Sequence, residues 1–359
     1  MATFDVLLPV RNGMAFFPQS LDSIRAQTFR DWRLLVLDHG SIDGSLELAR
    51  DYARRDARIE VHSFPRAHGL SGLLNCGLEL CEGKYVLRQD ADDISRPRRM
   101  QVLLDALEAD RELILVGSRG TVINAAGDSI GMLDMPTGPC GVVASTPFRS
   151  PVMHPTVAMR LDALRRLGAR YGEDFVGAMP RHKRLSVPGL AEDYFLFGQL
   201  ALLGRCENIA ADLIEYRWHA SNVSVLRYVD QMEMALRISR YLCESLALMH
   251  GTEAFDPAPF CNHGMNLFAV DGQEDFAREF AHMRASLEAA LGPSSDLRRE
   301  MAYRRTLADR RVPVMAARYA AFAPLHGVRL TEWRTVRSWL FRRVRKQRIL
   351  TLTPSGLNA

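Results

Sequence analysis

The sequence predicts an α/β fold in which a mainly parallel sheet carries helices on both faces. Over the first hundred residues, short apolar runs alternate with amphipathic stretches, a rhythm typical of parallel strands joined by helices. The 359 residues are 47% hydrophobic and 25% charged, as in chains that bury a sizeable core. Because ligands of such sheets bind beyond the carboxyl ends of the strands, we expect the functional site at that edge.

Four strands and three helices are predicted within the first hundred residues. The strands are apolar runs that stop at turn-forming residues, such as Asn12-Gly13 after the first run. The helices space their apolar residues by three and four, and Pro18 suits a first helical turn. The predicted strands span residues 4–10, 32–38, 59–62 and 84–89, and the predicted helices span residues 18–29, 46–54 and 70–81.

Regular structure is sparser after residue 100. The predicted elements are a helix over residues 100–109, a strand over 113–117, a Gly/Pro-rich loop over 172–190 that suits a cover for the site, and a helix over 190–203. From about residue 225 the chain reads as helices almost throughout. We therefore expect a domain over residues 1–225, divided into halves 1–100 and 101–225, and a mostly helical region over 226–359.

Composition and charge exclude several classes of protein. No run of about 18 apolar residues lacks a charge, and the first residues lack the basic region of a signal peptide. The six cysteines form no Cys-x-x-Cys pair, which favours a reducing cytoplasm over a disulfide framework or zinc site. The net charge of +4 is concentrated in residues 329–348, whose own net charge is +7. The rest of the chain is net acidic, so a nucleic-acid partner is not expected.

Three carboxylates cluster at the end of the fourth predicted strand, in Gln89-Asp90-Ala91-Asp92-Asp93. Within a strand, Asp90 and Asp92 point to the same face. Carboxylates this close repel one another unless a cation or hydrogen-bond donors compensate. The simplest compensation is Mn²⁺ or Mg²⁺ shared with substrate phosphates, because both ions accept oxygen ligands. The alternative is an exposed acidic turn that caps the next helix.

Four separated segments match, in order, the motifs of one enzyme family. They are Leu8-Pro9-Val10-Arg11-Asn12, the turn from Leu37 to Ser45, the helix from Gly69 to Gly77, and the acidic strand end from Tyr85 to Ser95. With these motifs the chain resembles glycosyltransferase family 2, inverting enzymes of the Rossmann-like GT-A fold that use nucleotide-sugar donors. The resemblance covers about residues 3–100, weakens toward residue 225 and says little beyond.

The resemblance implies a donor site and a metal site. The residues that it assigns to the nucleotide-sugar are Pro9, Val10, Arg11, Asn12, Asp38, Asn75, Arg88, Asp90, Ala91 and Asp92. The metal ligands are Asp90 and Asp92, completed by His219. Asp38 is the residue implied for hydrogen bonding to the base, and its alternative is a turn-forming role. We favour a UDP-sugar as the donor.

Two residues depart from the family pattern. Arg11 replaces the usual aromatic residue before Asn12, which alters packing there and brings a cation toward the donor diphosphate. His39 replaces the second Asp of the turn after the second strand. Nucleotide binding through Asp38 is expected to persist, whereas the choice among uridine, guanosine and other donors is left open.

The acceptor side is assigned mainly by Glu192-Asp193 at the start of a predicted helix. The resemblance gives Asp193 the role of general base, because inverting transfer needs a group that takes the proton of the attacking hydroxyl. Glu192 is its orienting partner or simply an exposed acid. Ordinary acids favoured by a helix N-terminus are the alternative for the pair.

Two histidines complete the candidate site. His219 lies in Tyr216-Arg217-Trp218-His219, where related enzymes often have Tyr-Arg-x-His near the metal or diphosphate. His154 lies between Val152-Met153 and Pro155, near family sequence on the acceptor side. A purely structural histidine is the alternative at both positions.

Together these residues predict an inverting, metal-dependent glycosyltransferase. It would act on a glycan or lipid-linked hydroxyl acceptor in surface polysaccharide or glycolipid assembly. A nucleotidyltransferase is the nearest enzyme alternative, but no Gly-rich phosphate loop follows the first strand. A non-catalytic nucleotide-sugar-binding subunit is the other alternative, and the intact Asp90, Asp92 and Asp193 argue against it.

The basic segment of residues 329–348 interleaves apolar and basic residues. At helical spacing Trp333, Val336, Leu340 and Val344 share one side, with Trp339 and Phe341 at its margins. Such a helix can lie on an anionic membrane surface, which would place the enzyme peripherally at the inner face of the cell membrane. The alternative is a helix packed on its own domain with a solvated arginine face.

Overall fold

The protein is described here by a computed structural model covering residues 1–133, 135–261, 263 and 275–344. Its nine strands in these ranges form one sheet. They are β1 (Phe4–Val10), β2 (Trp32–Asp38), β3 (Ile59–Ser63), β4 (Tyr85–Arg88), β5 (Ile94–Ser95), β6 (Leu113–Ile123), β7 (Ser129–Leu133), β8 (Ala158–Arg160) and β9 (Arg205–Arg217).

The helices of the described residues fall into two groups. Those that surround the sheet are α1 (Phe17–Arg25), α2 (Ser45–Arg55), α3 (Gly69–Leu80), α4 (Arg99–Ala109), α5 (Pro139–Ser145), α6 (Leu161–Leu167) and α7 (Glu192–Leu203). Those that follow the sheet are α8 (Val223–Leu226), α9 (Tyr228–His250), α10 (Ala277–Leu291), α11 (Ser295–Ala308), α12 (Val312–His326) and α13 (Leu330–Val344).

The strand order is β3-β2-β1-β4-β8-β6-β9-β5, with β7 beside β6. The first four strands are mutually parallel, as are β6 and β9. The pairs that involve β5, β7 and β8 are antiparallel. The α/β class is therefore confirmed, and the part read most clearly from the sequence is its parallel half.

Both faces of the sheet are covered by helices, as predicted. In β1, Val6 and Leu8 point into one apolar cluster with α1 and α4, whereas Leu7 points into the opposite cluster with α3, α6 and α7. This alternation follows from the two-residue period of a strand. In β1 and β2 apolar side chains fill both faces, and the polar residues lie within two positions of a strand end.

Several predicted boundaries were wrong, and one long element was missed. The helix predicted over residues 18–29 ends at Arg25, and the strand predicted over residues 113–117 continues to Ile123. The fourth strand ends at Arg88 instead of residue 89, and the helix predicted from residue 190 begins at Glu192. Leu190 and Ala191, with φ of 64° and 60°, adopt left-handed backbone that cannot continue a helix. β9 was not predicted, because its charged and small residues hide the apolar alternation.

The region after the sheet is helical, as predicted, and packs on the sheet domain. Phe148 and Ala144 share an apolar cluster with α9, α10 and α11. A further cluster joins α11, α12 and α13. Both sheet clusters contain only residues before 225, whereas a smaller cluster joins α7 to α9, and the domain boundary at residues 225 and 226 stays a prediction. In the part of the chain that the structure describes, no helix is long and apolar enough to cross a membrane.

The close packing of α3 on the sheet generates a stability prediction. A Cβ at Gly77 would lie 2.5 Å from Leu37 Cδ1 and 3.0 Å from Leu7 Cδ2, so Gly77→Ala should destabilise the protein by about 1–3 kcal/mol. At Gly72 in the same helix the nearest atom would be 3.5 Å away, so Gly72→Ala should stabilise by up to about 1 kcal/mol. Urea unfolding of both variants measures the contrast, and equal effects would contradict it.

Candidate active site

Two turns meet at the carboxyl ends of β1 and β2 and are joined by hydrogen bonds. Asn12 has left-handed backbone, with a φ of 54°, which asparagine tolerates better than most residues. Its N–H donates to Ser41 Oγ at 3.0 Å, and its Oδ1 accepts from Ile42 N at 2.9 Å. The next two N–H groups donate to side chains within residues 43–45. The first two motifs are thus built into one rigid surface.

The other predicted donor residues of this edge differ in their access to solvent. Pro9 and Val10 are buried at the end of β1, Arg11 is exposed, and Ala91 is half-buried. Arg11 is therefore free to approach a ligand, while Pro9 and Val10 shape the surface from below.

Asp38 is fully buried at the end of β2. Its Oδ2 accepts from Gly40 N at 3.0 Å and from Ser63 Oγ at 3.1 Å, and its Oδ1 accepts from Ser41 N at 3.1 Å. The carboxylate thus forms the turn, which is the alternative raised from the sequence. A carboxylate oxygen has more than one acceptor position, so a bond to a base stays a prediction.

The acidic segment leaves the sheet before its first aspartate. Because β4 ends at Arg88, the prediction that Asp90 and Asp92 share a strand face was wrong, and the segment is a turn. Asp93 is fully buried, accepts an N–H from the last residue of β9 at 2.8 Å, and leaves Oδ2 without a partner among the described residues. Burial raises the pKa of Asp90 and of Asp93.

A buried amide and a buried arginine hold this turn. Gln89 donates to Asp93 O at 2.9 Å and accepts from Arg99 Nη1 at 2.8 Å. Arg99 also donates to Arg88 O at 2.7 Å and to Pro155 O at 2.6 Å. Burial lowers the pKa of Arg99 to about 9, and its bonds to carbonyl oxygens offset part of the desolvation. The turn therefore rests on an interior polar network.

Arg88 links the acidic turn to His154, which lies in the predicted second half of the domain. Its guanidinium is almost fully buried, donates to Asp90 Oδ1 at 2.5 Å and donates from Nε to His154 Nε2 at 3.1 Å. His154 Nε2 also lies 3.3 Å from Tyr171 Oη. Burial and the Arg88 charge lower the pKa of His154 well below its ordinary value, so the imidazole is neutral. Arg88 is thus placed to position Asp90.

Asp92 meets His219 beside the turn. Asp92 Oδ2 lies 3.0 Å from His219 Nε2, and the other ring nitrogen lies 2.8 Å from Ser221 Oγ. Two ligands of an octahedral ion at about 2.1 Å and at right angles are themselves about 3.0 Å apart. The carboxylate and imidazole therefore fit as neighbouring ligands of one divalent cation.

The described side chains alone do not make a complete metal site. Among the described residues, no three His, Cys, Asp or Glu side chains are close enough to hold a cation together. Asp90 is paired with Arg88 rather than with Asp92 and His219. A Mg²⁺-like ion commonly takes one or two protein ligands plus phosphate and water, so this donor set suits an ion that arrives with a diphosphate.

Arg217 is a site residue that sequence reasoning missed. It is 2% exposed, donates from Nε to Asp92 O at 3.0 Å and from Nη2 to Gln19 Oε1 at 2.6 Å, and lies over the Phe16 ring. Its backbone N–H bonds to Asp93. Its position two residues before the predicted metal ligand His219, in Tyr216-Arg217-Trp218-His219, could have indicated this role. An arginine at that position can hold the end of β9 in place.

The acid pair lies at the start of α7. Glu192 is buried and Asp193 is half-buried, directly after the left-handed Leu190 and Ala191. Burial and the Asp193 charge raise the pKa of Glu192 to about 7. Burial, together with Asp90, raises the pKa of Asp193 to about 6, against hydrogen bonds from backbone N–H groups. The charge of Asp90 contributes to the raised pKa of both acids, so the acid pair lies near the acidic turn.

Asn75 joins the two halves instead of facing this site. Its Oδ1 accepts from Tyr171 N at 2.8 Å, and its Nδ2 donates to Tyr171 O at 3.0 Å. Nearby, Ser71 Oγ donates to Val187 O at 2.9 Å. Helix α3 is thereby fastened to the loop of residues 172–190, which the structure confirms as largely irregular. A direct donor contact of Asn75 stays a prediction.

Comparisons with known proteins agree with this geometry. Residues 5–137 match the family model described as Glycosyl transferase family 2. The UDP-Gal:alpha-D-GlcNAc-diphosphoundecaprenol beta-1,3-galactosyltransferase of Escherichia coli is 25% identical over 219 residues, which are 60% of this chain and 74% of that protein. The O-antigen biosynthesis glycosyltransferase WbnJ of Escherichia coli is 27% identical over 243 residues, covering 65% and 87%.

A solved structure supports the fold over nearly the whole chain. The crystal structure of S. aureus TarS 1-349 in complex with UDP-GlcNAc matches with a TM-score of 0.54 and 14% identity, covering 96% of this chain and 92% of that chain. This likeness concerns the fold alone. It confirms the GT-A type of sheet followed by a helical region.

The buried acid pair generates a prediction for stability against pH. Glu192 has a pKa of about 7 in the fold and an ordinary value of 4.5, so the folded state binds more protons between these values and stability falls as pH rises through them. Glu192→Gln should therefore stabilise the protein at pH 8, on the order of 2 kcal/mol, and change it little at pH 4. Urea unfolding at both pH values measures this, with the exposed Glu233→Gln as the control.

Proposed function

The N-terminal domain of the chain belongs to glycosyltransferase family 2, and from this premise we propose that the protein is an inverting, metal-dependent transferase. It is a glycosyltransferase, and it would move a sugar from a nucleotide-sugar to a hydroxyl acceptor. The observation that carries the proposal is that the charge of Asp90 contributes to the raised pKa of Asp193, because two carboxylates influence each other in this way only when they are near. Asp193 comes from the acceptor half, and Asp90 ends a strand of the donor half.

Asp193 is proposed to take the proton of the attacking hydroxyl. Backbone N–H bonds hold its carboxylate at the start of α7, and a pKa near 6 leaves it mostly ionised at neutral pH while keeping it a useful base. Glu192, buried beside it, would be protonated about half of the time near pH 7 and would then reduce repulsion within the pair. Inversion follows when attack and departure occur on opposite faces of the sugar.

Asp92 and His219 are proposed to hold Mn²⁺ or Mg²⁺ at the donor diphosphate, with Asp90 beside them. Such a cation stabilises the negative charge that develops on the departing diphosphate. Arg217 positions Asp92 through the chain backbone, and Arg88 orients Asp90. The residues of this chain would thus supply one imidazole nitrogen and one carboxylate, and the substrate would supply oxygens.

The donor is proposed to be a UDP-sugar. The Escherichia coli galactosyltransferase relative carries UDP-Gal in its name. The joined turns of residues 11–14 and 40–45 offer Arg11 and Asn12 at the rim, and Asp38 lies beneath them. A carboxylate at this place can accept the N3–H of uracil.

The acceptor is proposed to be a glycan or lipid-linked sugar in surface polysaccharide or glycolipid assembly. Two Escherichia coli relatives point this way, one by its diphosphoundecaprenol-linked substrate and one by its O-antigen role. A cytoplasmic enzyme at the inner face of the membrane would meet such an acceptor.

The metal assignment predicts that Asp92→Ala abolishes stabilisation of the protein by Mn²⁺ added with UDP, and lowers turnover by about 10²-fold or more. Asp90→Ala should come close to the same loss. Thermal unfolding with Mn²⁺, UDP and both together gives a readout apart from activity. Asp105→Ala, on the exposed side of α4, is the control. Full activity of the Asp90 and Asp92 variants in chelator-treated buffer would contradict the site.

The base assignment predicts that Asp193→Asn folds and binds donor but loses transfer by about 10²–10⁴-fold. Because protonation removes the base, wild-type turnover should also fall about tenfold per pH unit below the pKa of about 6. Steady-state kinetics against pH check both points. Asp162→Asn, an exposed aspartate at the start of α6, should keep the wild-type profile. A variant that loses donor affinity but keeps its saturated turnover would place Asp193 in the donor site instead.

A further inference from the structure

The last described helix, α13, is divided into a buried side and an exposed side. Val336 is fully buried, and Leu340 packs with it against α11 and α12. Glu332 accepts two bonds of 2.7 Å from Arg299. These contacts agree with the alternative of a helix packed on its own domain. They bury Val336 and part of Leu340, two residues of the apolar side that the sequence predicts.

The exposed side carries aromatic and basic residues that the fold does not bury. Trp333, Arg337 and Phe341 are spaced by four residues and so share one face, with Arg334 beside them. Trp333 is 40% exposed and Phe341 is 57% exposed. Trp333 rests one ring face on Tyr319, with centroids 5.6 Å apart. We call Trp333, Arg334, Arg337 and Phe341 the outer face of α13.

The turn that leads into α13 adds apolar surface. Leu325, at the end of α12, is 79% exposed, and Val328 is 57% exposed. Scattered exposed apolar residues are ordinary on proteins. Here, however, four large ones fall within seventeen residues of sequence, at one helix hairpin, together with exposed arginines.

The exposed charges on the outer face of α13 are positive. Glu332 is the sole acidic residue from Arg310 to the end of the sequence, and Arg299 already pairs with it. Arg334 and Arg337 are both exposed. The side chain of Trp339, and residues 345–350 with their further basic residues, lie outside what the structure describes. An occupant of this surface therefore has to be anionic and able to receive tryptophan and phenylalanine.

We propose that the outer face of α13, with Leu325 and Val328, docks on an anionic lipid surface. A basic helix with exposed aromatic residues gains both charge attraction and apolar burial in the membrane interface. Nucleic acid is the weaker match, because the rest of the chain is net acidic and exposed Leu and Val offer nothing to phosphates. This docking goes beyond the transfer reaction and needs no residue of the active site.

Sedimentation of the full chain with vesicles tests the docking. The protein should pellet with vesicles of equal phosphatidylglycerol and phosphatidylcholine, less so as salt rises, and not with phosphatidylcholine alone. Each arginine removed near an anionic leaflet should lower the partition coefficient about fivefold, so Arg334→Gln/Arg337→Gln should lower it about 25-fold. Phe341→Ser and Leu325→Ser should lower it as well, with little effect on folding because both side chains are exposed.

Matched variants elsewhere on the surface make the test specific. Arg54→Gln and Arg166→Gln remove arginines whose side chains are 71% exposed on α2 and α6, and Leu248→Ser removes a leucine that is 54% exposed on α9. All three should bind like wild type. Donor hydrolysis, measured without vesicles, should be unchanged in every variant, which separates this proposal from the proposed function.

Three outcomes would overturn the docking. If wild type and the double arginine variant pelleted equally, the outer face of α13 would not contribute to vesicle binding. If the protein pelleted with neither kind of vesicle, a lipid surface would be excluded as the occupant. A dimer in sedimentation velocity that Phe341→Ser dissociates, without lipid binding, would make this face an interface between two copies of the chain.

Discussion

The site depends on the burial of two arginines beneath an acidic turn. Arg88 and Arg99 are 1% and 0% exposed, and a buried guanidinium is tolerated only where oxygens surround it. Arg99 bonds to the carbonyls of Arg88 and Pro155, and Arg88 bonds to Asp90 and His154. These bonds fix the end of β4, the acidic turn and the acceptor half in one arrangement. Removing either guanidinium group would leave buried carboxylate and carbonyl oxygens without their hydrogen-bond donors.

The same arrangement explains why the acids of the site have raised pKa values. Asp90, Asp93, Glu192 and Asp193 are all influenced by burial and by one another. The buried arginines compensate part of this charge but not all of it. A diphosphate brought to such an edge would be repelled unless a cation accompanied it. The excess of carboxylates is therefore a physical argument for the proposed metal dependence, and this argument does not rely on any family likeness.

The sequence predicted the elements whose residues follow a regular period. β1 and β2 are continuous apolar runs, and α3 repeats its apolar residues every three or four positions, so local pattern sufficed. β9 escaped because its pairing with β6 and β5 stabilises a strand whose own sequence alternates weakly. The role of Arg217 was not predicted either, because its hydrogen-bond partners Asp92 and Gln19 are distant in sequence. The mistaken strand face at Asp90 came from extending the alternation past the last hydrogen-bonded residue.

The two predicted halves, residues 1–100 and 101–225, are connected by hydrogen bonds. Helix α3 belongs to the first half, yet Asn75 holds Tyr171 by two hydrogen bonds and Ser71 holds Val187. Tyr171 in turn contacts His154, which contacts Arg88. A shift of the loop of residues 172–190 would therefore pull on α3 at one end and on the acidic turn at the other. These bonds of 2.8–3.3 Å form a continuous path from α3 through Tyr171 and His154 to Arg88, so the loop and the acidic turn are parts of one hydrogen-bonded arrangement.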